Sequence, residues 1–266
     1  MSQLFTRDDI ITTDKYLSLQ SEDIVYVKTD LLTNNVSSMV WRNKPHTSRP
    51  AKVWITGHSD YPINETVFNT YQHNCKEWFT INRDVENEKL HALPLGITND
   101  SGESGLHGIY GNLDIMCEVM SQAKRIRNLV YMNFSMWTHP ERQEWHNYFI
   151  NKSYVTKGKI ENTLEGRKIF LEEIRNHLFV LCPRGNGIDT HRLWETLYMG
   201  SIPIVKRCTA LKEFSDLPIL FIDDISEIKD EVWLLAKYKD MSSRTWNIDK
   251  LKFSYWEYII RNSEMN

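Results

Sequence analysis

Two arginines, a glycine-containing turn and a carboxylate lie close together in residues 181–195, Leu-Cys-Pro-Arg-Gly-Asn-Gly-Ile-Asp-Thr-His-Arg-Leu-Trp-Glu. These types at this spacing suit a bound anion. Gly185, Asn186 and Gly187 form a turn whose small residues let backbone approach a ligand and permit positive φ. Asp189 or Thr190 can cap a helix that begins here. The free N–H groups of its first turn would face the same anion. Arg192 falls in that first turn, the unfavourable end of a helix dipole for a cation, and a bound anion would reverse the sign of that cost. Arg184, on the turn itself, could fork onto the same charge. Glu195, one turn beyond Arg192, could accept two hydrogen bonds from a ribose diol. The set fits a nucleoside diphosphate. The plain alternative is an Arg192–Glu195 surface pair of about 0.2–0.5 kcal/mol.

The elements around this run must hold it at the end of a sheet. Residues 178–182 read as a buried strand, and 190–199 as a helix. Short apolar runs at 128–133, 202–205 and 219–222 read as further buried strands, with a possible short strand at 153–156. Helical spacing is expected over 138–150, 164–177, 227–238 and 253–261. Thr138-His139-Pro140-Glu141 has the pattern of a capping box with proline in the first turn. A second anion site is expected there, where Ser135, Thr138, His139 and Arg142 would face the same sheet edge. A surface pair between Arg142 and a nearby Glu is the alternative. The first half is less regular: strands at 24–28, 52–56, 77–81 and 91–97, and a helix at 113–127. Residues 29–49 carry no clear pattern, and 102–111 form a glycine-rich loop. The alternation gives an α/β fold, with a domain boundary near residue 125 that divides the chain into 1–125 and 126–266 and the C-terminal helix expected to pack back on the first part.

Composition narrows the partners. Across 266 residues the net charge is −3, so no basic field favours nucleic acid. No apolar run approaches the roughly 18 residues of a membrane span, and residues 1–11 have no apolar signal core. A soluble, cytoplasmic protein is therefore expected. Cys75, Cys117, Cys182 and Cys208 lack metal-ligand spacing, so no metal site is expected and the thiols should be reduced. Oligomeric state is not legible.

Residues 179–205, Phe-Val-Leu-Cys-Pro-Arg-Gly-Asn-Gly-Ile-Asp-Thr-His-Arg-Leu-Trp-Glu-Thr-Leu-Tyr-Met-Gly-Ser-Ile-Pro-Ile-Val, resemble the donor-binding half of exostosin-like glycosyltransferases. That family runs strand, Cys-Pro-Arg-Gly, loop, Arg, Glu-Ala-Leu, Gly, Ile-Pro-Val. The resemblance implies a GT-B architecture, two Rossmann-like lobes facing a central cleft, with a nucleotide sugar as co-substrate and a glycan or oligosaccharide acceptor. It implies an acceptor-side lobe over 1–125 and a donor-binding lobe over 126–266, with Arg184 and Arg192 on the diphosphate, Thr190 and His191 offering backbone or side-chain contacts to phosphate, Glu195 on the ribose, and no cofactor or metal. A UDP-sugar is the expected donor. Fucosyltransferases share the helix and the Gly-x-x-Pro end, so a GDP-fucose-type fucosyltransferase is the alternative, and a non-catalytic nucleotide-sugar-binding protein a third reading.

Retaining enzymes of this architecture often carry an acid eight positions before the ribose-binding Glu. That position is Gly187 here, which favours inversion, and inversion needs a general base beside the acceptor hydroxyl. The strand at 52–56 leads into Gly57-His58-Ser59-Asp60. Asp60 is the first candidate base and His58 the second, with Asp30 weaker. Each could instead serve its turn.

Overall fold

The computed structural model describes residues 5–33, 49–102 and 105–265. Most of the patternless stretch, 34–48, lies outside the described residues, as do positions 103 and 104 of the glycine-rich loop.

Two parallel sheets organise the chain. The first carries β1 (Ile24–Lys28), β2 (Ala51–Gly57), β3 (Cys75–Thr80) and β4 (Leu90–Ala92), in the order β1-β2-β3-β4. The second carries β5 (Asn128–Met132), β6 (Val155–Lys157), β7 (His177–Leu181), β8 (Ile202–Lys206) and β9 (Leu220–Ile222), in the order β6-β5-β7-β8-β9. The α/β fold in two parallel lobes is as expected. Runs such as His177–Leu181 are buried at every position because helices cover both faces of a parallel sheet.

Described helices are α1 (Thr13–Leu17), α2 (Glu65–Tyr71), α3 (His107–Tyr110), α4 (Leu113–Ser121), α5 (Pro140–Phe149), α6 (Leu164–Arg175), α7 (His191–Tyr198), α8 (Glu231–Ser242) and α9 (Phe253–Met265). α1 and α2 fall outside the expected pattern. The Asn64 side chain caps α2 by accepting from the Val67 amide, a signal the sequence carried. α3 puts one helical turn inside the glycine-rich loop. β4 stops at Ala92, short of residue 97, because Pro94 cannot donate to a ladder and Gly96 takes φ 68°. α4 stops at Ser121, short of residue 127. The basic segment after it runs extended along helix ends, where cations meet unsatisfied carbonyls. Lys124 Nζ donates to the Gly200 carbonyl at 2.6 Å, and Arg175 reaches the Gln122 carbonyl at 2.7 Å.

One apolar cluster crosses between the sheets. Tyr26, Ile55 and Phe79 from the first share it with Val180 of the second and with Trp194 and Leu197 of α7. Trp256 and Ile260 of α9 belong to the same cluster, and α9 packs beside β2. The Phe253 amide donates to the Asp9 carbonyl at 2.8 Å, and the Tyr198 hydroxyl accepts from the Ile11 amide at 2.9 Å. All four cysteines are free, and no described helix is long and apolar enough to cross a membrane.

Candidate active site

Strand order determines where this fold can hold a ligand. The first sheet runs straight through, whereas the second begins at β5, steps outward to β6 and returns to β7 on the other side. Ligands of open parallel sheets bind at such a reversal, outside the carboxyl ends of the strands. The loop after β5, residues 133–139, and the loop after β7, residues 182–190, meet there. Between them and the first lobe lies a cleft of about 720 Å³. Ser135, Thr138, Arg142, Gly185, Asn186, Gly187, Asp189, Thr190, His191, Arg192 and Glu195 line it, and so do His58 and Asp60 from the first lobe.

Arg142 forms the floor at the reversal. It is buried, its Nε donates to the Arg184 carbonyl at 2.8 Å and its Nη1 to the Ser135 carbonyl at 3.1 Å, so it ties the two loops together. No described carboxylate pairs with it, and the expected alternative of an Arg142–Glu surface pair does not form. Burial, and then the charge of Arg192, lower its pKa to about 10. Arg192 likewise forms no ion pair. Its Nε is buried without a partner, and its guanidinium lies 5.9 Å from the Phe170 ring centre. The arginines of the two segments expected to form separate anion sites therefore line the same cleft.

Several expected residues sit differently. The Arg184 side chain leaves the cleft and lines a neighbouring 210 Å³ hollow with Lys206 and Arg207, and only its carbonyl serves the site, by holding Arg142. His139, not Thr138, caps α5: its Nδ1 accepts from the Glu141 amide at 3.3 Å. His139 does not line the cleft. Thr138 Oγ1 is buried and unpartnered. Gly185 and Gly187 do not take positive φ. A Cβ at Gly185 would come within 2.9 Å of Arg142 Nη2, so the guanidinium would have to shift.

Glu195 is buried with Arg167 rather than standing beside Arg192. Arg167 Nη1 donates to Glu195 Oε1 at 2.5 Å, and the Arg167 side chain is wholly buried on α6. Its Nε and Nη2 have no hydrogen-bond partner, and its guanidinium lies 5.6 Å from the Phe170 ring centre. Phe170 thus has two guanidiniums within 6 Å, and one of them has no carboxylate. Arg167 went unnoticed in the sequence, although it falls in one stripe with Leu171 and Ile174, four and seven positions on.

Asp189 joins the lobes instead of capping α7. Its Oδ2 accepts from the Leu95 amide at 2.9 Å and from Trp194 Nε1 at 2.7 Å, and its Oδ1 from the Thr190 amide at 2.7 Å. Thr190 is the N-cap and makes no side-chain cap. Burial raises the Asp189 carboxyl to about 7, against these three hydrogen bonds. Asn82, from the first lobe, accepts from the Asp189 amide at 2.8 Å and donates to the Ser59 carbonyl at 3.1 Å. His191 crosses the same junction, its Nδ1 lying 2.8 Å from the Gly96 carbonyl.

The two candidate bases differ. Both ring nitrogens of His58 are engaged, Nδ1 2.6 Å from the Tyr26 hydroxyl and Nε2 2.8 Å from Asp14 Oδ1. That makes His58 a junction in the wall, not a free base. Asp60 is exposed on the cleft and has no ion pair. Asp30 also lines the cleft and lies 3.4 Å from Lys28 Nζ.

No protein family matches the sequence, and no curated protein does. Among solved structures the chain is similar to one titled "Crystal Structure of alpha1,3-Fucosyltransferase", with 15% identity over 93% of this chain and 80% of that one, and a TM-score of 0.48.

Proposed function

We propose that this chain is a glycosyltransferase that moves a sugar from a nucleoside diphosphate to a hydroxyl of a glycan acceptor. One observation carries the proposal: Arg142 and Arg192, neither with a carboxylate partner, face one cleft at the strand-order reversal of the second sheet. Breaking the sugar–phosphate bond leaves charge on the diphosphate, and preorganised cations in a partly desolvated site stabilise that charge. Glu195 has one oxygen on Arg167, and the other is proposed to hold a ribose hydroxyl. The main-chain N–H groups at the start of α7 add donors for phosphate. The cations supply the charge stabilisation, so the proposed reaction runs without a bound metal, and with inversion, Gly187 standing where a retaining enzyme often has an acid.

A UDP-sugar is the first donor to test and GDP-fucose the second, because the helix and the Gly200-Ser201-Ile202-Pro203 end are common to fucosyltransferases. Melting curves with UDP, GDP and their sugars check this directly. A ligand at a hundred times its Kd stabilises by about 2.7 kcal/mol. The proposal fails if no nucleotide shifts the transition. Tight binding with no release of diphosphate from any donor would make the protein a binder rather than an enzyme.

A further inference from the structure

Resting on the glycosyltransferase reading, we infer that His191 Nε2 takes the proton from the acceptor hydroxyl. His191 is the first residue of α7 and lines the cleft where the two lobes meet. The Gly96 carbonyl can only accept, so the 2.8 Å contact makes Nδ1 the donor. The neutral ring then carries its lone pair on Nε2, which has no hydrogen-bond partner among the described residues. A hydrogen bond that fixes one nitrogen as donor orients the other as a base. Burial favours the neutral ring, which is the form a base needs at rest. Asp60 and Glu195 lie close enough for their charges to favour the imidazolium that forms, and Arg167 opposes it.

This division suits the two lobes. The ring belongs to the helix that holds the donor, while its tautomer is set by a carbonyl of the acceptor-side lobe. Asp60 has no partner among the described residues to fix its rotamer, so it supports the charge on His191 rather than taking the proton. In the step, the acceptor oxygen bonds to the anomeric carbon as its proton passes to Nε2. The bond from that carbon to the diphosphate oxygen breaks, and its electron pair leaves with the nucleoside diphosphate beside Arg142 and Arg192. Water in place of the acceptor undergoes the same step as hydrolysis.

Two variants test the assignment. His191→Asn places an amide N–H near the Nδ1 position and deletes Nε2. His191→Gln retains an acceptor near Nε2 with negligible basicity. UDP and GDP affinities are measured by calorimetry, and diphosphate release is followed from UDP-glucose, UDP-N-acetylglucosamine and GDP-fucose. Both variants are expected to bind nucleotide within about threefold of the parent and to release diphosphate about 100-fold more slowly. Parent-like release from either variant overturns the base role. Weaker binding with unchanged turnover of bound donor also overturns it and makes Nε2 a contact to a donor hydroxyl. A parent protein that neither binds UDP or GDP nor acts on any of these donors overturns the glycosyltransferase reading, and the base with it. A variant that fails to fold leaves the decision to the other.

Discussion

The Asp189 carboxylate accepts the Leu95 amide at 2.9 Å, joining the start of α7 to a loop of the first lobe. Because the carboxyl is buried, this junction is sensitive to pH. Burial raises the folded-state pKa of Asp189 to about 7, well above its value in an unfolded chain. Between about pH 4 and pH 7 the folded state therefore holds more protons than the unfolded one, and the contribution of this group to stability falls as pH rises. Urea unfolding of the parent and Asp189→Asn proteins should reveal it. The gap between them is expected to change across that window and level off above it. A gap independent of pH would contradict the assignment.

Arg142 binds the two ligand loops and offers a guanidinium to the cleft. Arg142→Ala should weaken UDP or GDP binding at least tenfold, since charge-assisted bonds to an anion are the strong kind. Arg142→Lys should recover little, because one ammonium cannot hold the Ser135 and Arg184 carbonyls in a planar fork and also face phosphate. Calorimetry on both variants decides the point. Full rescue by lysine would mean that only charge matters there.

Glu195→Ala would leave the buried Arg167 guanidinium uncompensated and should cost about 3–5 kcal/mol. Arg167→Met combined with Glu195→Leu should recover much of that loss, because both side chains are almost fully buried. A double-mutant cycle by urea unfolding measures the coupling. Simple additivity would show that the two side chains do not depend on each other.

Gly96 takes φ 68°, and a Cβ there would lie 2.2 Å from the Ile11 carbonyl oxygen. Gly96→Ala should destabilise the fold by more than about 1 kcal/mol. It should also shift the carbonyl that holds His191 and so slow diphosphate release beyond what lost stability explains. Rates measured well below the melting temperature separate the two effects.

The second lobe was readable from sequence because its strands are short apolar runs bounded by Pro, Gly and Asp, and each helix follows at close range. Arg192 was legible for the same reason: local position alone marks a cation at a helix start as anomalous. Interactions between distant segments were not legible. Arg167 lies 28 positions before Glu195, and Asn82 lies 107 before Asp189, so no local pattern links either pair. Arg184 was misjudged because a turn offers both sides to its side chains, and only packing decides that Arg142 occupies the cleft side. His58 looked free because Tyr26 and Asp14, which engage its ring, come from other segments.

The apolar cluster that joins both sheets with α9 makes the two halves one cooperative unit. A fragment ending near residue 125 would expose the face that Val180, Trp194 and Leu197 cover, and would also lose the Trp256 and Ile260 side chains contributed from the far end of the chain. Neither half is therefore expected to fold as a detachable module.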